Sequence, residues 1–189
     1  TRYLVMAGVA AIVFITAFVP NIVQATSVAR ESGGPNEDWH SALVWMRENT
    51  PDPFGDPAFY YEVYETPSAG EDYDYPDSAY GVMSWWDYGH WITRIAHRIP
   101  NASPFQAGAS DAAAFFTAQD ESSASDILDR LGSRYIVIDR WMAMHEMTPD
   151  GIIRGKFYAM LVWSGKEQSD FFDIYYQRTT TGTISPVLL

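Results

Sequence analysis

An uncharged apolar run from Tyr3 to Val23 decides in which solvent part of this chain must fold. It covers about 21 residues, interrupted only by Thr16, Pro20 and Asn21, and about 20 residues of helix cross a hydrocarbon core. A helix packed in a globular core is expected to carry a polar face, and this run shows none. A secretory leader would have a shorter apolar region followed by a small-residue cleavage site, a pattern with which Ala25 and its successors remain compatible. The run is read as a membrane span over residues 1–25. Arg2 ahead of it weakly places the N-terminus in the cytoplasm and everything after about Thr26 outside. The first residue is Thr1 rather than Met, so the chain is expected to begin inside a longer protein.

Residues 26–36 are small and polar, and Gly33-Gly34-Pro35 marks them as a linker. A domain of ordinary size, 37–189, follows. Asp38 is expected to cap a helix with Ala42, Leu43, Trp45 and Met46 on one side, ended by Asn49-Thr50-Pro51. Pro51, Pro53, Pro57, Pro67 and Pro76 then punctuate an irregular stretch, read as an ordered loop around short strands whose tyrosines pack. Gly81 to Ser84 is a short strand, and Trp91 to His97 has helical spacing. Asp111 to Ala118 and Ser125 to Leu131 read as helices, with Ser125 as an N-cap and Gly132 as a stop. Arg134 to Asp139 is the strongest strand; Gly155 to Trp163 is apolar and Phe171 to Arg178 reads as a strand. The expected fold class is α+β, a helix-rich globular domain with a small mixed sheet, preceded by one membrane-spanning helix.

Several chemistries are absent or weak. Cysteine is missing, which removes disulfides and thiol catalysis. The net charge of −12 argues against binding nucleic acid through its phosphates. His40, His90, His97 and His145 fit no zinc spacing. Asp72, Asp74 and Asp77 lack the glycine and closing glutamate of a calcium loop. No nucleophile elbow, phosphate loop or dinucleotide fingerprint occurs.

Trp85-Trp86-Asp87-Tyr88-Gly89 is different, because it spends polar aromatic groups where a core has no use for them. Each indole N–H only donates, and an ionised carboxylate only accepts. Two donors and one acceptor are the complement of a hydroxyl group, with its one O–H and two lone pairs. The plainer reading is a pair of core tryptophans with Asp87 and Gly89 forming a turn.

The pentapeptide resembles the signature of oligosaccharyltransferase catalytic subunits, the archaeal AglB type and its bacterial and eukaryotic counterparts. Trp39 to Pro51, His90 to Ile95 and Pro104 to Ala109 resemble archaeal members around that signature. The resemblance implies an enzyme that moves a glycan from a lipid carrier to the asparagine of an Asn-x-Ser/Thr sequon. In that reading Trp85, Trp86 and Asp87 bind the sequon hydroxyl, Tyr88 and Gly89 support the motif, and no catalytic residue or metal ligand lies in this chain. A second family element, an Asp followed by Lys and then Met or Ile, maps to Asp139, an insertion containing Pro149-Asp150-Gly151, and then Lys156 and Met160. Met142 or Met144 is the rival placement, and Lys156 as a surface lysine is the plain alternative. The implied cofactor, Mg²⁺ or Mn²⁺, belongs to the full-length enzyme outside this fragment. Implied partners are a sequon-bearing acceptor polypeptide, a lipid-linked oligosaccharide and the membrane, with no nucleic acid. The globular part is expected on the extracytoplasmic side of the cell membrane. The alternative from another class is a membrane-anchored exterior module that binds peptide or glycan without transferase activity.

Overall fold

A computed structural model describes residues 2–30, 33–63, 65–71, 73–144, 146–147, 153–178, 180, 182 and 184–188. His145, Asp72 and the Pro149-Asp150-Gly151 insertion lie outside the described residues. The chain divides into two units, Thr1–Ser41 and Ala42–Leu189.

The first unit is dominated by helix α1, Arg2–Arg30, none of whose residues is buried. It is long and apolar enough to cross a membrane. Its few polar side chains satisfy themselves on the helix: the Thr16 hydroxyl donates to the Ile12 carbonyl at 2.8 Å and that of Thr26 to Ile22 at 2.7 Å. Such internal pairing is what an apolar solvent demands. Pro20, inside the helix, has no N–H to offer the carbonyl four residues back, so one rung of the ladder is lost there. The helix runs through Arg30, five residues into the stretch read as linker, before Gly33-Gly34-Pro35 breaks the pattern.

Helix α2, Glu37–Asn49, is capped by Asn36 rather than by Asp38: the Asn36 side-chain oxygen accepts the Trp39 N–H at 2.9 Å. Asp38 sits in the first turn instead, where its charge complements the helix dipole. Within the second unit the buried stripe is Leu43, Met46 and Thr50, while Ala42 and Trp45 face outward. Leu43 and Met46 are buried as expected, whereas Ala42 and Trp45 fall off the face because only steps of three and four residues share it.

The centre of the second unit is β1, Gly81–Met83, paired in parallel with β2 (Ile99–Pro100) on one side and β3 (Ser133–Ile136) on the other. All three β1 residues are buried, as a middle strand covered on both faces requires. Between β1 and β2 the chain forms helix α3, Gly89–Trp91, which widens into a π turn, Ile92–Ala96. Between β2 and β3 lie α4, Ala109–Phe116, and α5, Glu121–Arg130. Asp120, not Ser125, caps α5 by accepting the Ser123 N–H at 2.8 Å, and Gly132 closes the turn after it at φ 58°. Beyond β3 come α6, Arg140–Ala143, the antiparallel pair β4 (Glu146–Met147) and β5 (Ile153–Arg154), α7 (Lys156–Ser164), and a second antiparallel pair, β6 (Ile174–Arg178) and β7 (Ile184–Leu188). Parallel and antiparallel pairings thus occupy separate sheets within the helix-rich α+β architecture. Helix α4 packs on α7, with Ala109, Ala112 and Ala113 buried on one and Met160 and Leu161 on the other.

Among the described residues, 51–80 contains no strand and only a 3₁₀ turn, Pro57–Tyr61. Side chains order this loop in place of ladders. Asp52 accepts the N–H groups of Phe54 and Gly55 at 2.8 and 3.0 Å, and Ser78 donates to the Pro53 carbonyl at 2.7 Å. Arg98 anchors it from beneath. This arginine is 1% exposed and donates to the carbonyls of Met46, Arg47 and Thr50 at 3.3, 3.1 and 2.7 Å, and to the Thr50 hydroxyl at 2.9 Å. These include the last carbonyls of α2, which have no partner within the helix and concentrate its negative dipole end.

Candidate functional site

The C-terminal end of β1 positions the signature residues. Met83 is the last paired residue, Ser84 donates to the Val137 carbonyl at 2.8 Å, and Trp85 to Gly89 follow immediately. Because β3 runs parallel to β1, with Met83 opposite Ile136, the residues after each strand emerge at the same edge of the sheet. Asp139 therefore arrives beside the motif. It lies beyond the strand, not at its end as the sequence suggested, and caps α6 by accepting the Met142 N–H at 3.1 Å. Its other oxygen accepts the Tyr88 hydroxyl at 2.6 Å across 51 residues of sequence. Burial, and then the neighbouring Asp139 carboxylate, push the Tyr88 hydroxyl well above the ordinary tyrosine range, so it stays a neutral donor.

Helix α7 brings the cation. Lys156 is its first residue, and its ammonium contacts the Asp87 carboxylate while lying 4.8 Å from the centre of the Tyr88 ring. A cation at a helix N-terminus opposes the helix dipole, so the carboxylate offsets an unfavourable placement. Burial pushes the lysine below its usual value. Asp87 and Lys156 are both about a quarter exposed, 28% and 27% for their side chains, so the pair faces an opening rather than a sealed core. Met160, one turn along α7, is 1% exposed. Of the rival methionines, Met142 is buried, whereas Met144 is half exposed. Met144 joins Trp141, Glu146, Arg154 and Lys156 around a cavity of about 360 Å³.

The two tryptophans differ. Trp85 is 1% exposed, with its ring centre 5.9 Å from that of Trp86. Trp86 is half-buried, yet its indole N–H is shielded from solvent and has no acceptor. It is the one such side-chain atom among the described residues. A buried donor left dry costs about 1–3 kcal/mol. The next residue is Asp87, and an indole donor and a carboxylate acceptor are the group types that a hydroxyl complements.

Gly89 is glycine for lack of room: a Cβ there would run into the carbonyl of Ala102 and the Cα of Ser103. The sequon-like Asn101-Ala102-Ser103 is structural. The Asn101 amide donates to the Leu131 carbonyl at 3.3 Å and accepts the Ser133 hydroxyl at 2.8 Å. His90 is exposed and His97 lies past the π turn with φ 51°, so the two share no helix face. Arg98 and the Tyr88–Asp139 bond escaped the sequence reading. A tyrosine five residues past one strand end and an aspartate three residues past a parallel one were the only available signal.

A family model described as the AglB core domain matches residues 36–143. The dolichyl-phosphooligosaccharide-protein glycotransferase 3 of Archaeoglobus fulgidus is 39% identical over 185 residues, which cover 92% of this chain and 20% of the relative. Two crystal structures of an oligosaccharyltransferase from that organism superpose with a TM-score of 0.65 each. One, with zinc and sulfate, is 39% identical and covers 94% of this chain and 22% of its own. The other, tethered by a disulfide to an acceptor peptide with the sequon NVT, is 38% identical and covers 95% and 21%. The chain thus spans about a fifth of the length of these relatives.

Proposed function

This chain belongs to the AglB core family, and from that premise we propose that it is the acceptor-reading part of a membrane oligosaccharyltransferase that transfers a lipid-linked glycan to Asn-x-Ser/Thr sequons. The observation that carries the reading is the dry indole N–H of Trp86 beside an Asp87 carboxylate held by Lys156. A sequon hydroxyl gives its proton to Asp87 and accepts from the indoles of Trp86 and Trp85. Lys156 keeps Asp87 ionised, which preserves it as an acceptor. An acceptor without the hydroxyl would leave these groups unpaired, and sites of this kind discriminate by up to about 10⁴–10⁵. Met160, on the same helix as Lys156, is assigned to the threonine methyl, whose burial contributes about 0.8 kcal/mol.

Zinc in a relative's crystal points to a metal in the family. The carboxylate here does not suit a resident dication, because Asp87 is already occupied by an ammonium that would repel one. The catalytic metal, Mg²⁺ or Mn²⁺ by resemblance, and the carboxylates that drive transfer are therefore assigned to parts of the protein outside this chain. The apolar helix α1 supports membrane association, and we place the globular part on the extracytoplasmic side.

The test uses the full-length protein with peptides carrying Thr, Ser or Ala at the third sequon position. Transfer is expected to the first two alone, and Asp87→Ala should abolish most of it while leaving the domain folded. An Asp87→Ala variant that melts early but transfers fully, or equal glycosylation of the Ala peptide, would overturn the reading.

A further inference from the structure

A cavity in the second unit is lined by none of Trp85, Trp86, Asp87 and Lys156. It measures about 430 Å³, inside the range of roughly 300–1,000 Å³ typical of small-ligand sites. Its walls come from the irregular loop on one side, with Phe54, Phe59, Tyr60 and Tyr75, and from Thr93 and Arg98 on the other. The aromatic wall is preformed. Phe54 stacks on Phe59 with ring centres 3.7 Å apart, takes the edge of Tyr60 at 5.2 Å, and lies 6.2 Å from Tyr75. The Tyr60 hydroxyl is used up on the His97 carbonyl.

Two exposed polar groups stand at the rim of the cavity. The Glu65 carboxylate and the Tyr75 hydroxyl have no hydrogen-bond or ion-pair partner among the described residues. Burial raises the pKa of Tyr75, so its hydroxyl is a neutral donor. Charges of both signs surround the cavity, so it matches no ion of a single sign. Arg98 stands in the wall with its donors committed to carbonyls and the Thr50 hydroxyl, and a cation there would meet its charge. Asp52, whose field is felt at Tyr60, and Glu65 would repel an anion. A neutral ligand with apolar faces for the rings and hydroxyls for Glu65 and Tyr75 suits this mixed lining.

We propose that this cavity binds a neutral pyranose ring, stacked on the loop aromatics and hydrogen-bonded at its rim by Glu65 and Tyr75. Such a ring carries axial C–H groups on its faces and hydroxyls around its edge, which matches the division between wall and rim. The site also touches the motif's own scaffold: Thr93, in the cavity wall, donates to the Gly89 carbonyl at 3.2 Å. The inference goes beyond the acceptor-reading function and stands without it.

Saturation-transfer NMR on the full-length protein in detergent tests the site with the methyl glycosides of glucose, galactose, mannose and N-acetylglucosamine, against choline and inorganic phosphate. Saturation of ring protons in at least one glycoside is expected, with none in choline and no ³¹P line broadening in phosphate. Tyr75→Ala should weaken binding about tenfold, the worth of one stacked aromatic, and Tyr75→Phe by less. Asp87→Ala should leave glycoside binding intact while transfer is lost, so the two readings fail independently. Two sources of the sugar separate in transfer assays of Tyr75→Ala: a raised KM for the lipid-linked donor marks the donor glycan, and weaker retention of glycosylated peptide marks the product. Silence from all four glycosides, binding indifferent to Tyr75→Ala, or selective binding of choline or phosphate would overturn the proposal.

Discussion

Gly89 has an ordinary helical backbone, φ −55° and ψ −43°, so its demand for glycine comes from space and not from conformation. The obstacle to a Cβ is backbone of Ala102 and Ser103, which cannot rotate away. Gly89→Ala should lower stability by about 1–3 kcal/mol, the usual cost of overpacking a tight site, measured by chemical denaturation. His97 supplies a pH effect at the same scale. Burial, then Arg47, Arg98 and Arg94, lower its pKa, and it sits at φ 51°. A folded pKa below the unfolded value near 6.5 means the unfolded chain binds the proton more readily. Stability is then complete above about pH 6.5 and declines as pH falls through the folded pKa. Replacing His97 by Asn, which tolerates a left-handed backbone and does not titrate, should flatten melting temperature against pH between about 5 and 7. An unchanged slope would assign that dependence to other groups.

Arg98 acts at the scale of elements, joining the C-terminus of α2 to the turn that follows the π segment. Besides α2 it reaches the carbonyls of Ala96 and His97 at 3.1 and 2.8 Å, so both ends of the connection hang on one guanidinium. Arg98→Met keeps the aliphatic stem but leaves several buried carbonyls dry. At about 1–3 kcal/mol for each unsatisfied group, a loss of about 3 kcal/mol or more is expected. Hydrogen exchange should quicken first in the last turn of α2 and in residues 51–60, since these lose their anchor while β1 keeps its ladder. Uniform exchange across the domain would count against this local role. Lysine is no substitute, having three donors on a point charge where a planar fork serves six acceptors.

For the whole molecule, the division at Ser41 separates a helix without buried residues from a domain with its own core. The proposed orientation puts that domain outside the cytoplasm. A protease site placed at Gly33-Gly34 should be cut in right-side-out vesicles and protected in inverted ones; cutting from the cytoplasmic face alone would reverse the topology.

Some of this was written into short stretches of sequence. Helix α1 follows from length and uniform apolarity, and the hydroxyl-complementary chemistry of Trp85-Trp86-Asp87 follows from which atoms donate and accept; both are local properties. Caps were less legible, because Asn36 and Asp120 each had a plausible competitor a few residues on and only packing chose between them. The strands and helices after residue 81 were recognisable by pattern, and 51–80 was legible as an ordered loop from its prolines. The short strands expected within it do not occur among the described residues, because side-chain bonds and ring stacking hold it without any period. The identity of the groups around Asp87 belonged to the tertiary structure alone. The parallel register of β1 and β3 sets Tyr88 against Asp139, and the docking of α7 on α4 delivers Lys156 across 69 residues. Arg98 was invisible for a related reason: its partners are mostly backbone carbonyls, which every sequence possesses, and only the fold decides where they converge.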